Sequence, residues 1–370
     1  MIKYLGSKRL LIPTILEGVR GAILELGGGR ARGLGSRRAG VGLTVLDLFS
    51  GTSRVGHALK REGYRVVSND HNAYAHTLAR CYVQADAEDV LEDARLLVRE
   101  FNAMDVPIGG GGYVTETFCE RSRYFSPRNG ERIDAIREAI ARKGLEPELE
   151  AVMLVSLMEA ADRVDSTTGV QMAYLKRYAA RAANRLELRV PEVLPRATGG
   201  KGEAHKMEAI DAARVLGADV AYLDPPYNQH SYLGNYHVWE SLVVWDKPEV
   251  YGVACKRADC VSRRSVFNSR PRALGALREV IRAIDARALV VSFSDEGFVS
   301  REDMEGMLRE WAGKRGGGVV RTVAVPSKRY VGAKIGIHNQ RGERVGKVSH
   351  VTNTEFVFTC VREASRLCVA

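Results

Sequence analysis

The chain has 370 residues, 45% of them hydrophobic and 27% charged, a composition that supports a substantial apolar core and excludes disorder throughout. Its 55 Lys and Arg outweigh 45 Asp and Glu, for a formal charge of +10 and a pI near 9.3, which suits a polyanionic partner such as nucleic acid. No apolar run approaches the roughly 20 residues that cross a bilayer, and Met1-Ile2-Lys3-Tyr4 does not begin a secretory signal, so the expected location is cytoplasmic. The six cysteines (Cys81, Cys119, Cys255, Cys260, Cys360, Cys368) form no C-x-x-C pair, so they are read as reduced thiols, with neither zinc nor a disulfide framework indicated.

In chain order, residues 1–26 read as a charged loop, Lys3-Tyr4-Leu5-Gly6-Ser7-Lys8, leading into a helix marked by Leu10, Leu11, Ile15 and Val19. The segment 27–42, GGGRARGLGSRRAGVG, is too rich in glycine for regular structure and reads as a basic loop, either solvated or in contact with phosphate. Leu43–Phe49 (LTVLDLF) has the form of a buried parallel strand. A helix-compatible Val55–Lys60 follows, then a second strand Tyr64–Ser68 ending at Asn69-Asp70. Strand, glycine turn, helix, strand, acidic residue is the order of a nucleotide-binding βαβ unit.

From about 100 to 205 this alternation breaks down into a glycine run (Gly109–Gly112), an aromatic and basic stretch (Tyr113–Arg132) and helical segments, as an insertion would. One predicted helix carries Lys176, Arg177, Arg181 and Arg185, the last three spaced every four residues on one face, as a solvated stripe or a phosphate contact. Core patterning resumes with the strand DVAYL (219–223), an amphipathic segment 271–286, the strand 288–294, and extended runs 319–325 and 355–361. The expected architecture is therefore α/β: a Rossmann-like, mainly parallel sheet in residues 1–100 and 206–370, interrupted by a mostly helical insert, 101–205.

The strongest chemical signal is Asp224-Pro225-Pro226-Tyr227, directly after an apolar strand. An aromatic amine is a poor nucleophile because its lone pair is delocalised into the ring. A catalyst must hold it with acceptors that favour a tetrahedral nitrogen. Asp224 would accept one N–H and the Pro225 carbonyl the other, with the carbonyl aimed by the fixed φ of consecutive prolines, and Tyr227 would stack on the base. A base inside a duplex must be flipped out to reach such a site. The alternative is a proline-rich turn that contains an aspartate by chance.

Asp47-Leu48-Phe49-Ser50-Gly51-Thr52-Ser53 is a glycine turn at a strand end, where backbone approaches a ligand closely. Asp70 follows Asp47 at close to the roughly 20-residue offset of an acidic ribose-binding side chain, with a turn or helix N-cap as its other reading. Asn228–Glu240 (NQHSYLGNYHVWE) is placed to close over a flipped base or probe DNA. His230 and His237 lack metal-ligand spacing, so no metal is expected.

Taken together, the N-terminal loop, the glycine turn and the DPPY segment resemble the D12, Dam-like class of adenine-specific DNA N6-methyltransferases, with Asp224–Tyr227 and its flanks most similar to FokI-type methylases. The resemblance covers most of the chain. It implies methyl transfer from S-adenosyl-L-methionine to N6 of adenine in double-stranded DNA, within a restriction-modification system that would pair the enzyme with a cognate endonuclease. It also implies that Tyr4 and Lys8 contact the cofactor, that Asp70 contacts its ribose, that Asp224 touches it, and that Asp47, Ser50 and Gly51 shape its methionine pocket. Asp211 resembles a contact to the cofactor adenine, or else props a helix. The sequence departs from the Dam enzymes at Tyr4, where they carry tryptophan, and at Ser53, where they carry glycine. An RNA adenine N6-methyltransferase, a DNA-binding protein of this fold without activity, and a glutamine-modifying protein methyltransferase are the rival readings. The carboxylate of Asp224, where the last class usually has Asn, argues against that one.

Overall fold

A computed structural model describes residues 1–6, 8–27, 42–313, 319–328 and 352–362. The glycine- and arginine-rich loop at 27–42 lies outside them except for its two ends. The strands are β1 (Thr44–Asp47), β2 (Arg65–Asn69), β3 (Glu203–His205), β4 (Ala218–Leu223), β5 (Val250–Tyr251), β6 (Lys256–Arg257), β7 (Ala286–Ser294), β8 (Val320–Lys328) and β9 (Thr352–Val361). The α-helices are α1 (Ile12–Gly27), α2 (Arg54–Arg61), α3 (Ala73–Ala79), α4 (Ala87–Ala103), α5 (Pro127–Lys143), α6 (Pro147–Val164), α7 (Ala209–Val215), α8 (Tyr232–Asn235), α9 (His237–Val244), α10 (Arg270–Ala283) and α11 (Arg301–Ala312).

The chain divides into two compact units, one of Met1–Ser7, Gly40–Ala209 and His230–Ser265, the other of Lys8–Ala39, Ile210–Gln229 and Val266–Ala370. In the first, β1 pairs in parallel with β2, Thr44 opposite Arg65 and Asp47 opposite Ser68, and β2 pairs in parallel with β3. Val45, Leu46, Val66 and Val67 are buried, as expected of strands covered on both faces. Helix α2 lies against these strands at Gly56, where a Cβ would come within 2.8 Å of Val83, 3.1 Å of Ser68 Oγ and 3.3 Å of Asp47 Oδ2. A large apolar core runs through α3, α4, α5, α6 and α9, around Tyr74, Phe101, Phe118, Tyr124, Phe125 and Trp239. It draws on residues either side of position 100.

In the second unit β4 pairs in parallel with β7, while β9 runs antiparallel to both β7 and β8. Helix α1 packs on this sheet through Gly18, whose Cβ position is 3.0 Å from Thr359 Oγ1 and 3.4 Å from Val290. Crossing β4 to β7 in parallel brings Asp224, one residue past β4, to a carboxyl-terminal strand edge, where open α/β sheets place their ligands. The chain is thus the expected α/β protein with parallel strand pairing, the antiparallel pairs of its sheets confined to the C-terminal part. Among the described residues no helix is long and apolar enough to cross a membrane.

One expected element is absent. Residues 176–185 do not form a helix, and only Ala180–Ala183 make a short 3-10 turn. The arginine spacing misled because local periodicity gave way to anchoring by buried polar groups. Arg181 donates to Asp165 Oδ1 at 2.6 Å and to the Thr167 carbonyl at 2.6 Å, Ala179 N donates to Ser166 Oγ, and Asn129 holds the carbonyls of Ala182 and Asn184. These bonds satisfy backbone groups that a helix would have paired internally.

Candidate active site

In the first unit the glycine turn and the Asp70 turn meet. Asp70 Oδ2 accepts the Gly51 amide at 3.0 Å and Oδ1 accepts the Asn72 amide at 2.9 Å. Burial pushes the Asp70 carboxyl above its ordinary value, against the pull of His71 and these two amides. Gly51 has a φ of +50°, the left-handed region that favours glycine, and a Cβ there would meet the Tyr4 hydroxyl at 3.4 Å, an ordinary van der Waals contact. Asp47 is buried at the end of β1, and Ser50 N donates to the Asn69 carbonyl at 2.9 Å. Tyr4, Asp47, Ser50, Gly51 and Asp70 are all in this unit.

Tyr4 is held by tyrosines that sequence reasoning had not singled out. Its ring stacks with Tyr236 at 4.5 Å and with Tyr232 at 5.3 Å between centroids, and its hydroxyl meets that of Tyr74 at 3.1 Å. Burial, followed by the neighbouring Tyr74, drives the Tyr4 phenol well up, so it stays neutral. Glu240 of α9 accepts the Ala73 and Tyr74 amides at 3.2 and 3.0 Å, capping α3 just beyond Asp70, and it pairs with Arg263 at 3.0 Å. A fully buried carboxylate within the apolar run HVWESLVV was the available signal for that role.

The Oγ atoms of Ser50 and Ser53 and Oδ1 of Asn72 are buried with no hydrogen-bond partner among the described residues, which leaves donors and acceptors at the turn for a polar ligand.

In the second unit, Lys8 Nζ lies 3.0 Å from Asp224 Oδ1 and 3.5 Å from Glu355 Oε2, and 5.4 Å from the centroid of the Tyr227 ring. Burial alone would lower the Lys8 ammonium, but Asp224, Tyr227 and Glu355 outweigh it and hold the lysine charged. Ser292 Oγ donates to the same Asp224 Oδ1 at 3.1 Å and shares a hydrogen bond with the Tyr222 hydroxyl at 2.7 Å. Among the described residues Asp224 Oδ2 has no such partner, and the side chain is 19% exposed.

Pro225 is buried, and the Tyr227 carbonyl accepts the Phe298 amide at 2.8 Å, which fixes the turn. The Tyr227 ring packs edge-on against Phe293 at 5.6 Å, and burial pushes its phenol up to about 12. Ser292 and Glu355 were not foreseen. Ser292 could have been noticed as a fully buried hydroxyl in the apolar strand ALVVSFS.

Asp211 on α7 is exposed and 3.7 Å from Arg214. His230 is exposed, whereas His237 is buried with Nε2 at 2.9 Å from the Gln171 carbonyl. Among the described residues no group of three or more His, Cys, Asp or Glu is arranged to hold a metal ion.

With this geometry in place, comparison with known proteins identifies the family. The model of the D12 class N6 adenine-specific DNA methyltransferases matches residues 4–307. The chain belongs to that family. Type II methyltransferase M.FokI of Planomicrobium okeanokoites is 31% identical over 71% of this chain and 42% of its own length. Modification methylase StsI of Streptococcus sanguinis is 27% identical over 89% of the chain and 49% of its own. Type II methyltransferase M.NlaIII of Neisseria lactamica is 29% identical over 69% and 75%. The chain therefore spans about half the length of the first two relatives. Membership of a methyltransferase family implies a methyl donor.

Proposed function

We propose that this D12-class chain methylates N6 of an adenine flipped out of double-stranded DNA, using S-adenosylmethionine, as the modification activity of a restriction-modification system. The observation that carries the reading is the division of labour within Asp224. Its Oδ1 is committed to Lys8 and Ser292, while Oδ2 is left to accept a hydrogen bond from an incoming amine. One N6 proton would go to Oδ2 and the other to the Pro225 carbonyl, drawing the nitrogen lone pair out of conjugation. Tyr227, neutral and pinned at its carbonyl, offers a ring face to the base.

S-adenosylmethionine, when bound, supplies an electrophilic sulfonium methyl. Tyr4, Ser50, Gly51 and Asp70 are the residues assigned to hold it, with the Asp70 carboxylate as acceptor for ribose hydroxyls and Asp47 supporting the turn. Lys8, which the resemblance assigned to the cofactor, is read here as fixing Asp224. Transfer would form the N6–C bond as the methyl–sulfur bond breaks, with the thioether as leaving group, and the N6 proton held by Asp224 Oδ2 would pass to water; positioning and electrostatics suffice, without a covalent enzyme intermediate.

DNA contact is assigned to residues 101–205 as a target-recognition insert. Exposed Arg128 and Arg185 border a cavity of about 580 Å³ there, and exposed guanidinium groups suit phosphate. The location expected for such an enzyme is the cytoplasm, beside the genome it marks.

The test is single-base modification sequencing of genomic DNA from cells that express the wild type or Asp224→Ala. N6-methyladenine confined to one short motif and absent in the variant is the expected result. Unmethylated DNA with methylated RNA would move the activity to RNA, and a variant as active as the wild type would overturn the mechanism.

A further inference from the structure

The acceptor site carries an odd number of charges. Buried Lys8 stands between two carboxylates, 3.0 Å from Asp224 Oδ1 and 3.5 Å from Glu355 Oε2. Among the described residues the cluster holds one ammonium and two carboxylates and is net negative. Were Lys8 paired with Asp224 alone, an incoming amine would meet a neutral ion pair, whose pull on a nitrogen gaining positive charge is weak. The second carboxylate changes that balance.

Glu355 is also held rigidly. It lies on β9, opposite Ser294 of β7 on one side and Val325 of β8 on the other, so the sheet fixes its backbone along both edges. It is 7% exposed, and among the described residues Lys8 is the cation it meets. Keeping a carboxylate buried there is costly unless the charge is used.

We infer that Glu355 is a positioning residue for methyl transfer: it balances the Lys8 ammonium from the strand side, so that the Lys8–Asp224 pair does not present as neutral and the site stays net negative toward the reacting amine. This rests on the methyltransferase reading above. Glu355 acts through Lys8 and Asp224. Its charge matters most when the amine nitrogen turns positive, so its loss should slow the chemical step more than it weakens binding. At two ion-pair lengths and an effective dielectric near 20, one charge alters a rate by roughly ten- to a hundredfold.

The experiment compares the full chain with Glu355→Gln and Glu355→Asp. It measures the single-turnover rate of methylation of duplex DNA, the dissociation constants for S-adenosylmethionine and for DNA, and the thermal midpoint. Glu355→Gln preserves shape and a hydrogen-bond acceptor for Lys8 but removes the charge. The expected result is a rate lower by roughly ten- to a hundredfold, both dissociation constants within about threefold of wild type, and most of the rate restored by Glu355→Asp.

A Glu355→Gln protein that transfers methyl at the wild-type rate would overturn the inference. So would equal losses of rate and of binding, or an Asp variant no better than the Gln variant. If Glu355→Gln does not fold, the Asp variant carries the comparison, and its rate must then stay within about tenfold of wild type. A wild type that methylates no DNA would instead sink the functional reading, a result separable from an active wild type indifferent to Glu355.

Discussion

Asp70 and Asp224 are two carboxylates that follow parallel strands, β2 and β4, and burial pushes both above the ordinary carboxylate value. They differ in what holds them. Asp70 is gripped by two backbone amides, of Gly51 and Asn72, which fix both oxygens and direct the remaining lone pairs. Asp224 is gripped on one oxygen by an ammonium and a hydroxyl, and its other oxygen has no hydrogen-bond partner among the described residues. Amides fix geometry while adding no net charge, whereas an ammonium sets the charge as well. The first arrangement suits a binding acceptor, the second an acceptor whose charge is used as the reaction proceeds.

Asp70→Asn breaks or sharpens that contrast most directly. The amide can accept from one of the two backbone donors but presents NH₂ to the other, so the turn loosens. The expected outcome is S-adenosylmethionine affinity lower by at least about tenfold, as one charge-assisted hydrogen bond predicts, with the rate at saturating cofactor within a few-fold of wild type. Calorimetric titration and single-turnover rates report the two quantities separately. A saturated rate that collapses as completely as that of Asp224→Ala would show that the two carboxylates are not divided in this way.

The second contrast lies in acid sensitivity. His237 begins α9, the helix of Glu240, and directly follows Tyr236; burial lowers its pKa to about 3 from an ordinary 6.5, against the opposing Gln171 carbonyl. The unfolded chain therefore takes up a proton below about 6.5 that the folded chain refuses until about 3. Stability from this group is complete above 6.5 and is lost as pH falls through that window, by up to about 1.4 kcal/mol per pH unit. Hydrogen exchange at pH 7 and pH 5 should show the first unit weakening more than the second, and His237→Gln should flatten the difference. Equal weakening of both units would assign the acid response elsewhere.

Much of this was legible because the informative features are local. Apolar runs bounded by glycine gave β1, β2 and β4, and functional groups of α/β sheets gather where such strands end, which picked out Asp47, Asp70 and Asp224. What stayed hidden was set by contacts distant in sequence. Nothing around Glu355 announces that its partner is Lys8, 347 positions away. Nothing beside Tyr4 announces Tyr236 and Tyr232. The arginines at 181 and 185 gave a helical spacing but serve as tethers, Arg181 to Asp165 and Arg185 to the Asn102 carbonyl. The terminal strands proved longer than their apolar runs, since β8 and β9 pair through Pro326–Thr354 and Lys328–Thr352.

The smallest effect tests the glycine turn itself. Ser53 stands where the Dam enzymes carry glycine, and it adopts φ 58° and ψ 21°, the left-handed region, immediately before α2. An L-residue with a Cβ is strained there by roughly 1 kcal/mol, and the Ser53 hydroxyl is buried without a partner among the described residues. Ser53→Gly removes both penalties at the expense of a slightly freer unfolded chain. The expected net gain is about 0.5–1 kcal/mol in urea denaturation, with the Asp70–Gly51 bond undisturbed. Cofactor affinity then decides what the hydroxyl is for. Unchanged affinity would make Ser53 a strained substitute for glycine, whereas a loss of about tenfold would assign its Oγ to the bound cofactor, with the strain retained for that contact.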